Sequence, residues 1–503
     1  MTPDLCQAML AALYLPDDAS PATFYLSHSV AAAIQPRVPM VIGDAGAGRS
    51  CMVAALLSPA LRASMSEGLE ALGDLNQQPS LQNLEVAVGF SKEPSAEHPD
   101  AASIRDLLAT GADPEDIWYA VITRWIARLT GNGGGGSITP ITRRTGIDLP
   151  VTPMSMREVM AFNRNHPSAV ARMMVGSKAS LHGNHGLILF TDIETITDDI
   201  RDRTRLVRGL CQTLLDLRKF PWLHGKAFFD DKTLNPHWRY GYVGDFPDYS
   251  KLRASGRTLS WSPNDGFGMI FHRLINAPCA HGVALRDFFK NALGEETWQE
   301  KSGIFYAPRG KAAAWLRAVL PTEVHDEKTP ARLTSPFQDK PHSTRKSFLS
   351  PRLFLVAFSH AVEAAQARQA KKAASVDVKS SGLLTRKDLK AGFAKGAALL
   401  AQEMASSAPR SYQLLKTLES QTVPTTIHDA SNMLDSTWSC KDGPDGGRHI
   451  VGELEQDGWI VFKSVYIQLS PAAKAIFRKL SEAAEMNAMK ASEAPKTSTL
   501  RRP

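Results

Sequence analysis

Cysteine is scarce. The chain of 503 residues holds five, at positions 6, 51, 211, 279 and 440, and no two form a C-x-x-C pair. Thiols so scattered exclude a disulfide framework and a thiolate zinc site, and they suit a reducing compartment. Long apolar runs are also missing. No stretch reaches the roughly 18 residues that a membrane-spanning helix needs. The opening residues, MTPDLCQAML, lack a basic segment followed by a long apolar one. No secretory signal is read, no membrane partner is expected, and the expected location is cytoplasmic. Charge of one sign is not in large excess: the net charge is +7. That permits an acidic partner without requiring one. The excess concentrates between Pro341 and Leu400, where eleven Lys/Arg face three Asp/Glu. No internal repeat is found, which excludes a solenoid. No Ser/His/Asp or Cys/His arrangement stands out, so nucleophilic hydrolysis of that type is not read.

The chain that remains has ordinary globular composition, 43% hydrophobic and 22% charged. Its length predicts several domains. Short apolar runs bounded by turn signals mark buried strands: VPMVIG, NLEVAVGF (Asn83–Phe90), GLILF (Gly186–Phe190), GKAFFD (Gly225–Asp230) and RTLSWS (Arg257–Ser262). Between them lie segments of helical spacing, with breaks predicted at Gly111 and Pro167. Strands alternating with helices predict an α/β fold, a parallel sheet flanked by helices. The segment 130–140, TGNGGGGSITP, reads as a flexible loop.

One stretch carries chemistry. VIGDAGAGRS, residues 41–50, lies between the first strand and a helix. It departs at one letter from the phosphate-loop pattern G-x-x-x-x-G-K-[ST], with Arg49 in place of lysine. Glycines there let successive backbone N–H groups face an anion at the positive end of a helix. The residues expected to hold a nucleotide are Gly43, Asp44, Ala45, Gly46, Ala47, Gly48, Arg49, Ser50 and Cys51. The Ser50 hydroxyl is expected to reach Mg²⁺. Arg49 keeps the positive charge, but its planar fork cannot act as a compact point charge.

The second half of such a site is an acidic residue at the end of another buried strand. GLILF runs into TDIE, offering Asp192 for Mg²⁺ and Glu194 as the catalytic carboxylate. Thr191 occupies the position directly after the strand. FFDDK supplies Asp230, Asp231 and Lys232 but no arginine; Lys232, Arg239, Arg253 and Arg257 are the cations nearby in sequence. Of the histidines, His182 and His185 read as a polar loop, His224 as a loop residue before a strand, and His272 as structural.

Beyond Ser411 the order is helix, helix, helix, then a strand pair in DGWIVFKSVYIQLS and a closing helix; TTIHDASNMLD is read as one of the short helices. That is the order of a winged-helix module. The expected division is a helical segment 1–37, a phosphate-loop NTPase core 38–330, a helical region with a basic linker 331–410, a winged-helix-like domain 411–482 and a disordered tail 483–503.

Taken in order, GDAGAGRS, GADPEDIWYAVITRWI, GLILFTDIETI with its helix ending LLDLRKF, FPDYSKL, and LSWSPNDGFGMIFHRL resemble bacterial P-loop ATPases related to the STAND and KAP classes of the AAA-like superfamily. The resemblance implies ATP and Mg²⁺ as ligands, a signalling switch with a protein partner, and a place in bacterial antiphage defence. Such ATPases usually carry Lys at the position of Arg49, Asp at that of Thr191, and an Arg close to Asp230. These departures predict a modified site that holds nucleotide with weak or absent hydrolysis. Two alternatives stand beside it: a non-catalytic scaffold, and a DNA-binding regulator acting through the winged helix. Homo-oligomerisation is left open.

Overall fold

In the computed structural model, the described residues are 3–14, 20–43, 46–71, 80–95, 97–131, 155–234, 246–277, 279–293, 298–306, 351–373 and 383–407. Short pieces at 319, 413–416, 418, 425–426, 460–463 and 466–469 complete them. The expected flexible loop at 130–140 and the tail at 483–503 fall almost wholly outside these residues. The chain divides into two compact units.

The first unit comprises Pro16–Ser260 and Thr297–Arg309. Helix α1 (Pro3–Leu13) belongs to the other unit; the sheet unit begins with α2 (His28–Ile34) and β1 (Met40–Ile42). Then follow α3 (Arg49–Leu57), α4 (Pro59–Ala71), β2 (Leu84–Phe90), α5 (Ala101–Ala109), α6 (Pro114–Gly131), α7 (Met156–Asn165), α8 (Pro167–Ser180) and β3 (His185–Phe190). Next come α9 (Ile200–Leu217), β4 (Leu223–Phe229), α10 (Tyr249–Ser255) and β5 (Arg257–Thr258). The five strands form one sheet in the order β2-β3-β4-β1-β5, and every pair is parallel. The α/β fold read from the apolar runs is the fold observed.

Local chemistry sets the boundaries. Asp100 caps α5 through Oδ1, which accepts the Ser103 N–H at 2.6 Å. The same helix ends at Gly111, φ +81°, with Gly111 N–H on Leu108 O and Ala112 N–H on Leu107 O. This paired-carbonyl ending stops α5 and turns the chain into α6. His166 and Pro167 separate α7 from α8. Both breaks stand where glycine and proline place them.

Strand β3 is buried along Leu187, Ile188, Leu189 and Phe190, each 0% exposed. A strand buried on both faces must be covered by helices on both. Helix α9 supplies one cover, turning Leu206, Val207, Leu210, Leu214 and Leu217 inward. Each such side chain contributes about 2 kcal/mol of transfer free energy, roughly 10 kcal/mol in all as an upper bound. Trp118 of α6 locks this layer. Its ring meets Phe90 and Phe190 edge-on at 6.2 and 5.6 Å, and its Nε1–H donates to Leu206 O. A hairpin of β6 (Gln299–Lys301) and β7 (Ile304–Tyr306) joins the same unit, the Tyr306 hydroxyl donating to Ser64 O at 2.7 Å.

The second unit comprises Met1–Leu15, Trp261–Glu296 and Gly310–Pro503. It is built from α1, α11 (Pro263–Ile275), α12 (Cys279–Leu293), α13 (Pro351–Ala373) and α14 (Arg386–Ser407). Phe267 and Phe354 meet edge-on at 4.8 Å in its core. Arg368 of α13 binds Asp388 of α14, Nη2 to Oδ2 at 2.9 Å. Three short strands, β8 (Thr425–Thr426), β9 (Ile460–Lys463) and β10 (Tyr466–Leu469), form an antiparallel sheet ordered β8-β10-β9. The strand pair expected at 457–470 is β9 and β10. Thr425 and Thr426, expected in a helix, form a strand instead, because these β-branched residues pair with Ile467 and Tyr466. The helices expected at 429–459 lie outside the described residues. No described helix is long and apolar enough to cross a membrane.

Candidate functional site

The phosphate-loop stretch stands where the first strand meets the first crossover helix. Gly43 still belongs to the sheet, its N–H donating to Phe229 O at 3.1 Å. Asp44 and Ala45 lie outside the described residues. Gly46 and Gly48 adopt φ +81° and +98°. That left-handed backbone favours glycine over every L side chain. Gly48 is the N-cap of α3, and Arg49 is its first residue. The leading N–H groups of a helix have no acceptor within the helix. Ala47 is buried, Arg49 and Cys51 are half-buried, and Ser50 is exposed.

Arg49 does not point into solvent. Its Nη1 meets Glu194 Oε1 at 3.2 Å and its Nη2 meets Asp230 Oδ2 at 3.1 Å. The three side chains are only 18–21% exposed. They come from the carboxyl ends of three adjacent strands: Asp230 directly follows β4, Glu194 lies beyond β3, and Arg49 follows β1. The location has a topological cause. The connection leaving β1 crosses toward β2, whereas the connection leaving β4 crosses past β1 to β5. With right-handed crossovers the two run over opposite faces of the sheet. They leave a crevice between the carboxyl ends of β1 and β4, where α/β sheets take ligands.

Burial holds the Glu194 carboxyl above the usual carboxylate range, against its own backbone N–H and Arg49, which pull it down; Asp230 pushes it further up. Its Oε2 is buried and, among the described residues, accepts no hydrogen bond. Asp192 takes the left-handed backbone, φ 56°, at the turn after β3. Its carbonyl accepts from the Thr195 hydroxyl and N–H, at 2.7 and 2.9 Å. Its carboxylate is not among the partners of Arg49. Thr191 is buried and extends the sheet, its N–H donating to Phe90 O. Among the described residues, no three His, Cys, Asp or Glu side chains converge to hold a metal. Of the expected site residues, the structure joins Arg49 and Glu194 directly. It adds Asp230, to which the sequence assigned no role. The available signal was an aspartate at the carboxyl end of a wholly buried strand. Lys232 and Arg239 lie outside the residues whose side chains are described.

The opposite end of the same strands holds a second group of polar residues. His224 is not the loop residue expected: it lies in β4 and is 8% exposed. Gly225, which reads as a boundary, instead permits close packing. A Cβ there would stand 2.4 Å from Leu214 of α9. His185 and His224 stack with ring centroids 5.3 Å apart, and Nδ1 of His185 meets Nε2 of His224 at 3.2 Å. Beside them Lys226, fully buried, donates from Nζ to the carbonyls of Ala33, Gln35 and Val38 at 2.8, 2.9 and 2.7 Å. This lysine ties the end of α2 to the base of the sheet.

A parallel sheet whose first strand runs through a glycine loop into a helix, with carboxylates at neighbouring strand ends, defines the phosphate-loop class of α/β fold. No family model and no curated protein matches the chain. Among solved structures it is similar to a Walker-type ATPase of Pyrococcus abyssi, at 9% identity over 88% of this chain and 91% of that one, with a TM-score of 0.29. The fold assignment rests on the strand order and the loop, and takes nothing from that likeness.

Proposed function

We propose that the chain binds a nucleoside triphosphate, ATP by class, at residues 43–51, and works as a nucleotide-dependent switch with slow or absent hydrolysis. The observation that carries this reading is the guanidinium of Arg49, set at the mouth of the glycine loop and held by two carboxylates. A triphosphate competes with Glu194 and Asp230 for that cation. Loading then exchanges one set of charge-assisted contacts for another, and the two carboxylates are released from it. This makes Arg49 the moving part, in a position where the lysine of an active ATPase stays on the phosphates.

The donor set suits Mg²⁺. The buried Glu194 Oε2 lacks a partner among the described residues, Ser50 offers a hydroxyl at the helix start, and Asp192 carries a carboxylate two positions before Glu194. Mg²⁺ usually takes one or two protein oxygens together with phosphates. Ser50 and Asp192 would hold it here, and it would neutralise charge on the β- and γ-phosphates. Glu194, with its carboxyl raised by burial, is suited to accept a proton from water. Slow turnover follows from Arg49 and Thr191 standing where an efficient site has lysine and aspartate. A switch of this kind regulates a protein partner, and a bacterial signalling or defence setting fits the resemblance described above.

The test is a titration with Mg-ATP and Mg-ADP, monitored by calorimetry, on the full chain and on Arg49→Ala. The wild type should bind ATP more tightly than ADP, and the variant should lose at least about tenfold in affinity. Equal binding by both proteins overturns the role of Arg49, and absence of binding in the wild type leaves the scaffold reading in its place.

A further inference from the structure

A second cleft lies at the same carboxyl edge of the sheet, past the end of edge strand β2 and three strand positions from β1. At a strand spacing of about 4.8 Å, that places it on the order of 15 Å from the glycine loop. Its volume is about 680 Å³, within the range of small-molecule sites. The walls come from the loop after β2 and from α5, α6 and α7.

The cleft contains an unusual cation. Arg124 of α6 is half-buried on its wall, and no carboxylate pairs with it among the described residues. An arginine withdrawn from water usually has an acid beside it. Its neighbour one turn on is Arg128, whose Nη1 is spent on Glu97 O at 2.6 Å. Burial first, and then Arg128, push the Arg124 guanidinium below its ordinary range, so this position gains from an anion. Arg157 stands exposed on the rim, and Ser95, Ser103 and Ser155 also line the cleft, the Ser95 and Ser155 hydroxyls accepting the Glu97 and Glu158 N–H groups and that of Ser103 meeting the Asp100 carboxylate. His98 closes the floor, buried and packed on Phe90 with centroids 6.1 Å apart. Two acids also border the cleft. The Asp100 carboxylate is engaged in capping α5, and Asp106 is exposed at the cleft wall.

We infer that this cleft binds a small metabolite through an oxyanion group, phosphate or carboxylate, with Arg124 as the buried anchor and Arg157 as the rim contact. A planar guanidinium fork is the donor that recognises such groups. The proposal does not depend on nucleotide binding at the glycine loop. It bears on that loop's partner residues, because α5 carries Arg105, whose Nη1 donates to Ile196 O at 2.8 Å, two residues beyond Glu194.

The experiment is calorimetric titration of the full chain with inorganic phosphate and, separately, malonate. It is done in an Arg49→Ala background, so that the glycine loop contributes less to the signal. One equivalent of at least one anion should bind, and adding Arg124→Gln should weaken it by at least about tenfold. Binding of phosphate alone assigns a phosphorylated ligand, and binding of malonate alone a carboxylate. Failure of both anions to bind overturns the inference, as does binding that Arg124→Gln leaves unchanged. If Arg124→Gln does not fold, Arg157→Gln on the exposed rim decides. A several-fold loss supports the cleft, and an unchanged affinity overturns it.

Discussion

Replacing His224 by phenylalanine should make the sheet more resistant to acid. His224 is buried in β4 against His185, with Lys226 and Arg37 adding positive potential. Burial first, and then His185, Lys226 and Arg37, push its imidazole down to about 3 from 6.5. The sign follows from linkage. Above the unfolded value near 6.5 the ring is neutral in both states and imposes no penalty. As pH falls below that value the unfolded chain takes up a proton that the native ring refuses, so stability is lost. The loss accumulates until the native value is reached. At about 1.4 kcal/mol per unit, it is roughly 2 kcal/mol at pH 5 and approaches about 5 kcal/mol near pH 3. His185, also lowered by burial, acts in the same direction. Phenylalanine keeps a ring for the stack but cannot titrate. It also deletes the 3.2 Å contact between the two rings, a pH-independent offset. The informative quantity is therefore the change with pH. Because the chain has two compact units, the readout should be local: native-state hydrogen exchange of peptides spanning β3 and β4, from pH 7.5 to 4.5. The variant should gain about 2 kcal/mol on the wild type between pH 7 and 5. A difference that stays flat with pH would refute the reasoning.

Gly48→Ala should cost about 1–2 kcal/mol, since φ +98° is strained for alanine although no atom lies within 4 Å of the added Cβ; chemical denaturation measures it, and a neutral effect contradicts the observed loop conformation. Lys226→Met should lose about 3–5 kcal/mol, because three carbonyls, two of them buried, are left without their donor; a melting temperature within a degree or two of wild type would contradict this. Glu194→Gln should gain on the wild type as pH rises from 4.5 to 7.5. The raised native carboxyl favours the neutral form, and the stability that it contributes at low pH is lost as it ionises. Thermal shifts at the two pH values read this, and the opposite trend counts against burial as the dominant influence on Glu194.

Much of the scaffold is legible in single segments. A run such as GLILF is too apolar to face water, and Gly111 and Pro167 end helices by backbone geometry alone. The glycine loop likewise declares itself by its place between a strand and a helix. These readings succeed because each depends on residues a few positions apart. His224 defeated the same logic. Gly225 reads as punctuation in sequence, yet it is there to let α9 approach the sheet. Thr425 and Thr426 defeated it too, since their pairing partners lie about forty residues away.

What the amino-acid order determined alone is the kit of parts: five strands, their helices, and a positive charge at the head of α3; the expected burial fails for β5, whose Arg257 and Thr258 are exposed. Only the folded chain decided what that charge does. Arg49 meets Glu194 across 145 residues and Asp230 across 181, because β4 inserts between β1 and β3 in the sheet. Strand order is set by packing of whole helices on whole faces, and no local pattern encodes which distant strand ends will share a crevice.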